Sequence, residues 1–285
     1  MSNGTATDDK LDNENESNEE RAVMELRKLM QDDQILKNLK VDNRYLSRFL
    51  NCADYDAKTA LDRVHNFYDT LTTHPNWFTK LRPTDKKAII EKDIRILIDR
   101  TDKEGRPIYI IKLGNMDPSV MDLIEDVVAV DDFFVEALFL SDGSIDKGLC
   151  VIVDISNFSL KLMKWLTPGN IKIAVKRILS MPIKEFHYHV VNSSLLINVA
   201  IKIVWPFLPQ QIKEAVKFHF SDFESLYRYV DKESLPKEYG GDLEVDYDRQ
   251  RALVYEKNSE IYENFRANRM VFLDSVQTVC LPSED

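Results

Sequence analysis

Strand-like and helix-like segments alternate between residues 94 and 241, and this alternation constrains the fold of the 285-residue chain more than any other feature. Residues 94–98 and 107–113 flank the turn-forming sequence TDKEG, so they predict a β-hairpin. Residues 149–153 are apolar on both faces, which is typical of an inner strand covered by helices. The pattern as a whole predicts an α/β fold with an open, mostly parallel sheet.

Two more strands and three helices complete the predicted sheet domain. Residues 183–191 and 216–220 are the strands. A long helix is expected from Pro118 to about Leu140, and a second one begins after Thr167, an N-cap that precedes a proline. The sequence SDFE at residues 221–224 is a capping box, which predicts a helix as far as Val230.

The segments outside residues 91–241 differ from the sheet domain. Residues 1–20 carry seven carboxylates against the single Lys10, so they predict a disordered acidic tail. Residues 21–90 show helical periodicity and predict a small all-α module, in which Asp56 caps one helix and Pro83 begins another. Residues 242–285 are charged and weakly periodic, and we expect a peripheral segment that consists of a helix and a loose tail.

Composition narrows the classes of function. The formal charge of −10 argues against nucleic-acid binding, which depends on clustered lysine and arginine. The sequence shows neither an apolar targeting segment at its N-terminus nor an apolar run long enough to span a bilayer. We therefore expect a cytoplasmic protein, and we expect it to be a monomer.

The most apolar stretch of the chain lies within residues 192–216. Apolar side chains fill nearly every position from 195 to 208, where Lys202 is the single charge, and the run ends in the bulky sequence WPFLP. Such a helix is normally buried on all sides, so one interpretation is a core helix. The other interpretation is a lid, which covers an apolar cavity with one face and meets a membrane with the other.

Signals for catalysis or metal binding are weak. The sequence contains no phosphate-binding loop, no G-x-S-x-G nucleophile elbow and no H-E-x-x-H zinc motif. His187 and His189 share one face of a predicted strand, with His219 on a candidate neighbouring strand. Asp154 ends a buried strand, the position where α/β enzymes gather active-site residues. We expect structural roles for these residues, with no catalytic residue, metal or cofactor. The alternative is an enzyme that acts on an apolar substrate through Asp154 or the His187/His189 pair.

Short motifs in the chain resemble the CRAL-TRIO family in their order and spacing. They are RFL at residues 48–50, DKEGRPI at 102–108, GLCVIVD at 148–154, PFL at 206–208 and LPKEYGG at 235–241. The last motif is the most specific, and the resemblance covers about residues 41–241. Within the family the chain looks most like the branch of alpha-tocopherol transfer protein and cellular retinaldehyde-binding protein.

The resemblance implies a CRAL-TRIO lipid-binding domain behind a small helical module. In this family an open sheet, roofed by a mobile lid helix that maps onto residues 193–208, holds one hydrophobic molecule such as tocopherol, a retinoid or another lipid. The apolar side chains expected in the core then become the predicted ligand-binding set. These are Phe133, Phe134, Leu138, Val151, Val153, Phe158, Ile171, Ile178, Ile183, Tyr188, Ile197, Ile201 and Val204.

The resemblance also implies transient contact with a membrane surface, with phosphoinositides as candidate partners. The expected membrane and headgroup residues are Lys184, Lys202, Trp205, Phe207, Leu208, Lys213 and Lys217. The family's basic cluster is incomplete, because four of its expected positions hold Ala53, Phe186, Gln211 and Ala215.

Two further departures concern the pocket. Val135 lies near a position where tocopherol binders place a serine, and Glu185 lies where an apolar wall residue is expected. The leading hypothesis is a cytosolic protein that binds a hydrophobic ligand and transfers it between membranes without catalysis. Besides the enzyme, the remaining alternative is a ligand-free interaction module that acts through the acidic tail.

Overall fold

A five-stranded mixed sheet lies at the centre of the computed structural model, which describes residues 5–122, 124–141, 144–192 and 197–279. The strands follow one another across the sheet in chain order. They are β1 (Arg95–Thr101), β2 (Pro107–Lys112), β3 (Leu149–Asp154), β4 (Phe186–Val191) and β5 (Val216–Phe220). β1 and β2 pair antiparallel as the predicted hairpin, and the other pairs are parallel. The predicted α/β class is confirmed.

Three helices and a short fourth one form the predicted N-terminal module. They are α1 (Thr5–Asp32), α2 (Asn43–Asn51), α3 (Ala57–Thr73) and α4 (Lys87–Ile90), the last following a 3₁₀ turn at Pro83–Lys86. Asp42 caps α2 and Asp56 caps α3, because each side chain accepts a hydrogen bond from a backbone N–H three residues on. Leu26, Phe49 and Val64 are buried where the helices meet.

The helix α1 begins at Thr5, so helical backbone covers residues that composition predicts to be disordered. The apolar contacts of α1 begin at Ala22 and Val23, which are buried against the module. Once a helix is nucleated by such contacts, each further turn costs little, so a polar sequence can extend it.

Two helices cover one face of the sheet, α5 (Glu125–Phe139) and α6 (Pro168–Ser180). The prediction that a helix begins at Pro118 is wrong, because Asp122 accepts hydrogen bonds from the backbone N–H groups of Ile124 and Glu125 and ends a turn there. α6 begins as predicted, with the Thr167 hydroxyl accepting from the Asn170 N–H at 3.2 Å.

Three short helices surround β5. They are α7 (Ile197–Val204), α8 (Gln210–Ala215) and α9 (Phe223–Leu226), and a 3₁₀ turn at Trp205–Phe207 follows α7. α9 is shorter than predicted, and its N-cap is Asp222. Four residues of the predicted lid, 193–196, lie outside the described part of the chain.

The C-terminal segment is packed more deeply than its composition predicts. It comprises α10 (Tyr247–Glu256), α11 (Asn258–Phe265), a π-helical turn at Arg266–Met270 and α12 (Val271–Val279). Val254, Ile261 and Phe265 are buried against α5, and Phe272 is buried in the N-terminal module. This burial corrects the expectation that residues 242–285 lie at the periphery of the fold. The breaks between these helices interrupt the apolar repeat, which is why the sequence shows weak periodicity.

One buried carboxylate joins three parts of the fold. Asp132 on α5 accepts a hydrogen bond from Arg177 on α6 at 2.5 Å and from Arg269 in the π-helical turn at 2.8 Å. Its Oδ2 also accepts from the backbone N–H of Thr79 at 2.9 Å. Burial lowers the pKa of Arg269, but Asp132, Tyr45 and Glu136 together raise it by more, so the guanidinium stays charged.

We expect Asp132→Ala to lower the free energy of unfolding by about 3–5 kcal/mol, because it leaves two buried guanidinium groups without their counter-charge. Urea unfolding followed by circular dichroism measures this loss. Asp69→Ala is the matched control, since Asp69 forms a half-exposed ion pair with Lys176, worth about 0–1 kcal/mol. Equal losses in the two variants would contradict the prediction.

Candidate functional site

A cavity of about 460 Å³ lies between the sheet and the helices α5, α6 and α7. One residue from each strand forms its floor, and the five side chains stand in register across the sheet. They are Arg95, Ile111, Val153, Val190 and Phe218. Because side chains alternate between the two faces of a strand, a single register row suffices to line one side of a cavity.

A second register row on the same face is only partly open to the cavity. It runs through Leu97, Tyr109, Val151, Tyr188 and Val216. The first three side chains are buried in the core beneath α5, whereas Tyr188 and Val216 line the cavity. The cavity therefore opens toward β4 and β5, the strands on either side of the lid segment.

The roof consists of one face of each covering helix. α5 contributes Val127, Val128 and Asp131, a spacing that keeps side chains on one side of a helix. α6 contributes Ala174, Arg177 and Ile178, and α7 contributes Ala200, Ile201 and Val204. Apart from Arg95, Asp131 and Arg177, these lining side chains carry no charge.

Six of the thirteen predicted ligand-binding residues line this cavity. They are Val153, Phe158, Ile178, Tyr188, Ile201 and Val204. The side chain of Ile197 lies outside the described part of the structure.

Six other predicted residues are buried elsewhere. They are Phe133, Phe134, Leu138, Val151, Ile171 and Ile183. Phe133 illustrates the cause, because its ring stacks on Phe265 of α11 at a centroid distance of 6.2 Å. That side of α5 faces the C-terminal helices, which the sequence analysis places at the periphery. Ile183 borders a second cavity instead.

Sequence reasoning missed the polar part of the wall, which Arg95 and Asp131 form. Arg95 donates from Nε to Asp131 Oδ1 at 2.6 Å and from Nη2 to Oδ2 at 3.2 Å. Burial lowers the pKa of Arg95, but Asp131 and Tyr109 raise it by more, so the arginine stays charged. The signal for this pair was an arginine inside an apolar strand and acidic residues on an apolar helix, but nothing in the sequence pairs them.

Some of the predicted membrane residues line the cavity, whereas others are exposed on the surface. Trp205 and Leu208 line the cavity, and Phe207 lies 5.9 Å from the Lys172 ammonium group. Lys202 is exposed on the outer face of α7. Lys184 forms an exposed ion pair with Asp54 at 2.6 Å.

A second cavity of about 300 Å³ lies where the basic cluster of the family is expected. Its charged lining comprises Arg63 and Lys184 together with Glu185 and Glu214, while Lys213 and Lys217 are absent from it. The four charges balance. Glu185 is also held in place, since its Oε1 accepts one hydrogen bond from Arg106 Nη1 at 2.9 Å and lies 3.0 Å from His187 Nε2.

The carboxylate of Asp154 accepts three hydrogen bonds from neighbouring groups. Oδ1 accepts from the Ser156 N–H at 2.9 Å and from Asn192 at 3.0 Å, and Oδ2 accepts from the Tyr239 hydroxyl at 2.9 Å. The motif at residues 235–241 supplies Tyr239, and a Cβ at Gly241 would lie 2.0 Å from the Leu235 carbonyl oxygen. Asp154 therefore ties the ends of two strands to this motif.

Comparisons with known proteins agree with this architecture. A family model described as the CRAL/TRIO domain matches residues 91–241. A mouse protein, alpha-tocopherol transfer protein-like, is 25% identical over 251 residues, which cover 86% of this chain and 72% of the relative. Clavesin-1 of Xenopus laevis is 26% identical over 209 residues, 72% of this chain and 62% of the relative.

A solved structure shares the fold. The crystal structure of Sfh5 superposes with a TM-score of 0.50 at 12% identity, covering 87% of this chain and 98% of that one. Among the described residues, no helix is both long and apolar enough to cross a bilayer.

His189 and His219 form a buried pair on the face of the sheet opposite the cavity. His189 Nδ1 lies 2.9 Å from His219 Nε2, and His219 Nδ1 lies 2.6 Å from the Ser225 hydroxyl. His187 interacts with Glu185 instead of completing a cluster. Within the described ranges, no group of three or more His, Cys, Asp and Glu side chains could hold a metal ion. Burial, followed by the charges of His219 and His187, lowers the pKa of His189 to about 3.

We expect this pair to make the fold sensitive to acid. Since the pKa of His189 is about 3 in the folded state and about 6.5 in the unfolded state, the unfolded state binds more protons between these values. As the pH decreases below 6.5, the free energy of unfolding should therefore decrease, by up to about 1.4 kcal/mol per pH unit for this group. Urea titrations of wild type and His189→Gln between pH 7 and pH 5 should give a flatter profile for the variant. Parallel profiles would contradict the assignment.

Proposed function

The chain belongs to the CRAL/TRIO family, and we propose that it binds a small hydrophobic molecule in the cavity under α7 and transfers it between membranes. The proposed setting is the cytoplasm, with transient contact to membrane surfaces. The resemblance to a protein named alpha-tocopherol transfer protein-like supports transfer as the activity. The protein acts as a carrier and not as an enzyme, which agrees with the internal hydrogen bonds that engage Asp154.

The apolar cavity is the observation that carries this proposal. Its volume of about 460 Å³ lies in the range of sites for small-molecule ligands, roughly 300–1,000 Å³. A hydrophobic molecule gains about 25 cal/mol for each Å² of apolar surface removed from water. A cavity with three charged side chains among many apolar ones therefore favours a ligand that is mostly hydrocarbon.

The helix α7 acts as the lid, because its two faces differ. Ala200, Ile201 and Val204 face the cavity, whereas Val199 and Lys202 are exposed on the other side. Opening the lid in water would expose its apolar face at a cost in free energy. A membrane replaces water with hydrocarbon and removes that cost, so release should occur at the bilayer.

We expect Ile201→Asp and Val204→Asp to abolish ligand binding, because each would place a carboxylate in an apolar cavity, where an unpaired charge is strongly disfavoured. The measurement is a fluorescence titration with an apolar polyene probe, and circular dichroism checks that each variant is folded.

Val199→Asp is the matched control on the same helix. Its side chain is 52% exposed and points away from the cavity, so the variant should bind the probe as the wild type does. A folded Ile201→Asp variant with full affinity would contradict the lid assignment.

Membrane docking is proposed to use a different apolar surface from the one that the sequence suggests. Trp205 and Leu208 are turned inward, whereas Val199 and Phe220 are 52% and 58% exposed. Val199 lies on the lid helix α7, and Phe220 ends β5, the last strand of the sheet. The insertion of one fully buried large apolar side chain contributes about 1.5–3 kcal/mol, and each nearby lysine adds about 1 kcal/mol at an anionic surface.

We expect Val199→Asn/Phe220→Asn to lose more vesicle binding than Lys184→Ala/Lys213→Ala, with little dependence on salt. Asparagine suits position 220, whose backbone φ is 51°. Co-sedimentation with vesicles of neutral lipid, with and without phosphoinositide, measures the binding. If the lysine variant alone abolished binding, a headgroup site would govern docking.

A further inference from the structure

One arginine of the cavity wall uses little of its capacity to donate hydrogen bonds. Arg177 lines the cavity and is 6% exposed. Its guanidinium donates one hydrogen bond to a described residue, from Nη2 to Asp132 Oδ1 at 2.5 Å, although a guanidinium carries five N–H donors. The Nε atom is buried without a partner. Since buried donors are normally paired, this nitrogen calls for an acceptor that no described residue supplies.

A second unpaired donor lies in the same part of the wall. Trp165, which precedes α6, lines the cavity, and its indole Nε1 is buried without a hydrogen-bond partner. The Trp165 ring lies 5.8 Å from the Trp77 ring, and Arg177 Cζ lies 5.4 Å from the centre of the Phe78 ring. Because Trp77 and Phe78 are consecutive residues, both donors lie near the same end of the cavity. Indole and guanidinium groups only donate, so this end suits a ligand group that accepts.

The charges around Arg177 do not balance. Three arginines share one largely buried cluster with two carboxylates, and the five residues are Arg48, Arg177, Arg269, Asp132 and Glu136. One positive charge therefore lacks a counter-charge. The ion pair of Arg95 with Asp131, also in the cavity wall, is neutral and leaves this excess unchanged. An unpaired charge in a protein interior is strongly disfavoured, so the cluster favours an anion beside it.

The size of the neighbouring cavities determines where such an anion can bind. The five charged residues line a third cavity of about 20 Å³, which is enough for about one water molecule. Arg177 lines both this cavity and the one under α7, whose volume is about 460 Å³. An anionic head group therefore reaches Arg177 from the larger cavity, attached to a ligand whose apolar part fills that cavity.

We propose that the ligand of the cavity under α7 is a long-chain carboxylate, whose head group accepts hydrogen bonds from Arg177 and Trp165. This inference rests on the proposed function and adds the chemical class of the ligand. An ionised carboxylate only accepts hydrogen bonds, and its bonds with a guanidinium are about twice as strong as those between neutral groups. Alcohols and esters bring no charge that would offset the excess around Arg177.

Dodecanoate and methyl dodecanoate test this proposal, because their chains are alike and only the acid is charged. Each compound displaces the uncharged fluorescent probe diphenylhexatriene from the full-length protein at neutral pH. The wild type should bind dodecanoate about tenfold more tightly than the ester, as expected for hydrogen bonds between charged groups. Dodecyl phosphate is the third compound, since it offers a different anionic head group on the same chain.

Arg177→Met removes the excess charge and the Nε donor, but it keeps a long side chain in the cavity wall. Asp132 retains its hydrogen bonds from Arg269 and from the Thr79 N–H, so the variant should fold, which circular dichroism checks. The ratio of dodecanoate affinity to ester affinity should fall toward one, while the ester binds as it does to the wild type.

Lys176→Met is the matched control. Lys176 precedes Arg177 on α6, but it pairs with Asp69 and does not line the cavity. The variant removes one positive charge from the same helix, so it should keep the affinity ratio of the wild type. An equal loss of the ratio in both variants would mean that the general charge of α6 attracts the acid, and it would overturn the proposal.

Trp165→Phe provides an independent arm. The indole Nε1 makes no described hydrogen bond, so the variant should fold as the wild type does. It should bind dodecanoate several-fold more weakly, because the head group loses one donor.

The outcomes separate this inference from the proposed function. If diphenylhexatriene does not bind and none of the three compounds raises the melting temperature, the proposed function fails. If the probe binds but the wild type binds acid and ester equally well, the cavity takes up hydrocarbon without selecting a carboxylate and this inference is overturned. Full dodecanoate affinity in Arg177→Met or Trp165→Phe would also overturn it, as would tenfold tighter binding of dodecyl phosphate than of dodecanoate.

Discussion

The buried contact of Asp132 with Arg177 and Arg269 is the interaction on which the cavity depends. Protein interiors normally pack as densely as organic crystals, so a void of about 460 Å³ needs a rigid frame around it. Asp132 ties α5 to α6 and to the C-terminal segment, and both helices roof the cavity. Side chains beyond this contact can then stay apart instead of collapsing onto the sheet.

Much of the fold follows from local sequence. The hairpin at residues 95–112, the cap at Thr167 and the strand Val216–Phe220 all appear where their patterns predict them. Local rules succeed here because a cap or an alternating strand is decided by a few neighbouring residues. The burial of the C-terminal helices was missed because their buried residues contact α5 and the N-terminal module, far away in sequence.

Cavity lining proved harder to predict than burial. Phe133 and Asp131 are two residues apart on α5, yet the phenylalanine is buried in the core and the aspartate borders the cavity. Periodicity gives the face of a helix, but it does not say which partner covers that face. The same problem arises at the lid segment. Trp205 and Val199 are both apolar, but Trp205 faces the cavity and Val199 is exposed. Register across five strands, which aligns Arg95 with Phe218, is likewise invisible in a single sequence.

The central claim is that the cavity under α7 holds one hydrophobic molecule. Native mass spectrometry of the full-length protein, purified without detergent, tests this claim most directly. The account predicts a folded species that carries the added mass of one lipid, which collisional activation removes and which organic extraction recovers. A folded protein that shows the bare mass alone, and that takes up no lipid after incubation with vesicles, would contradict it.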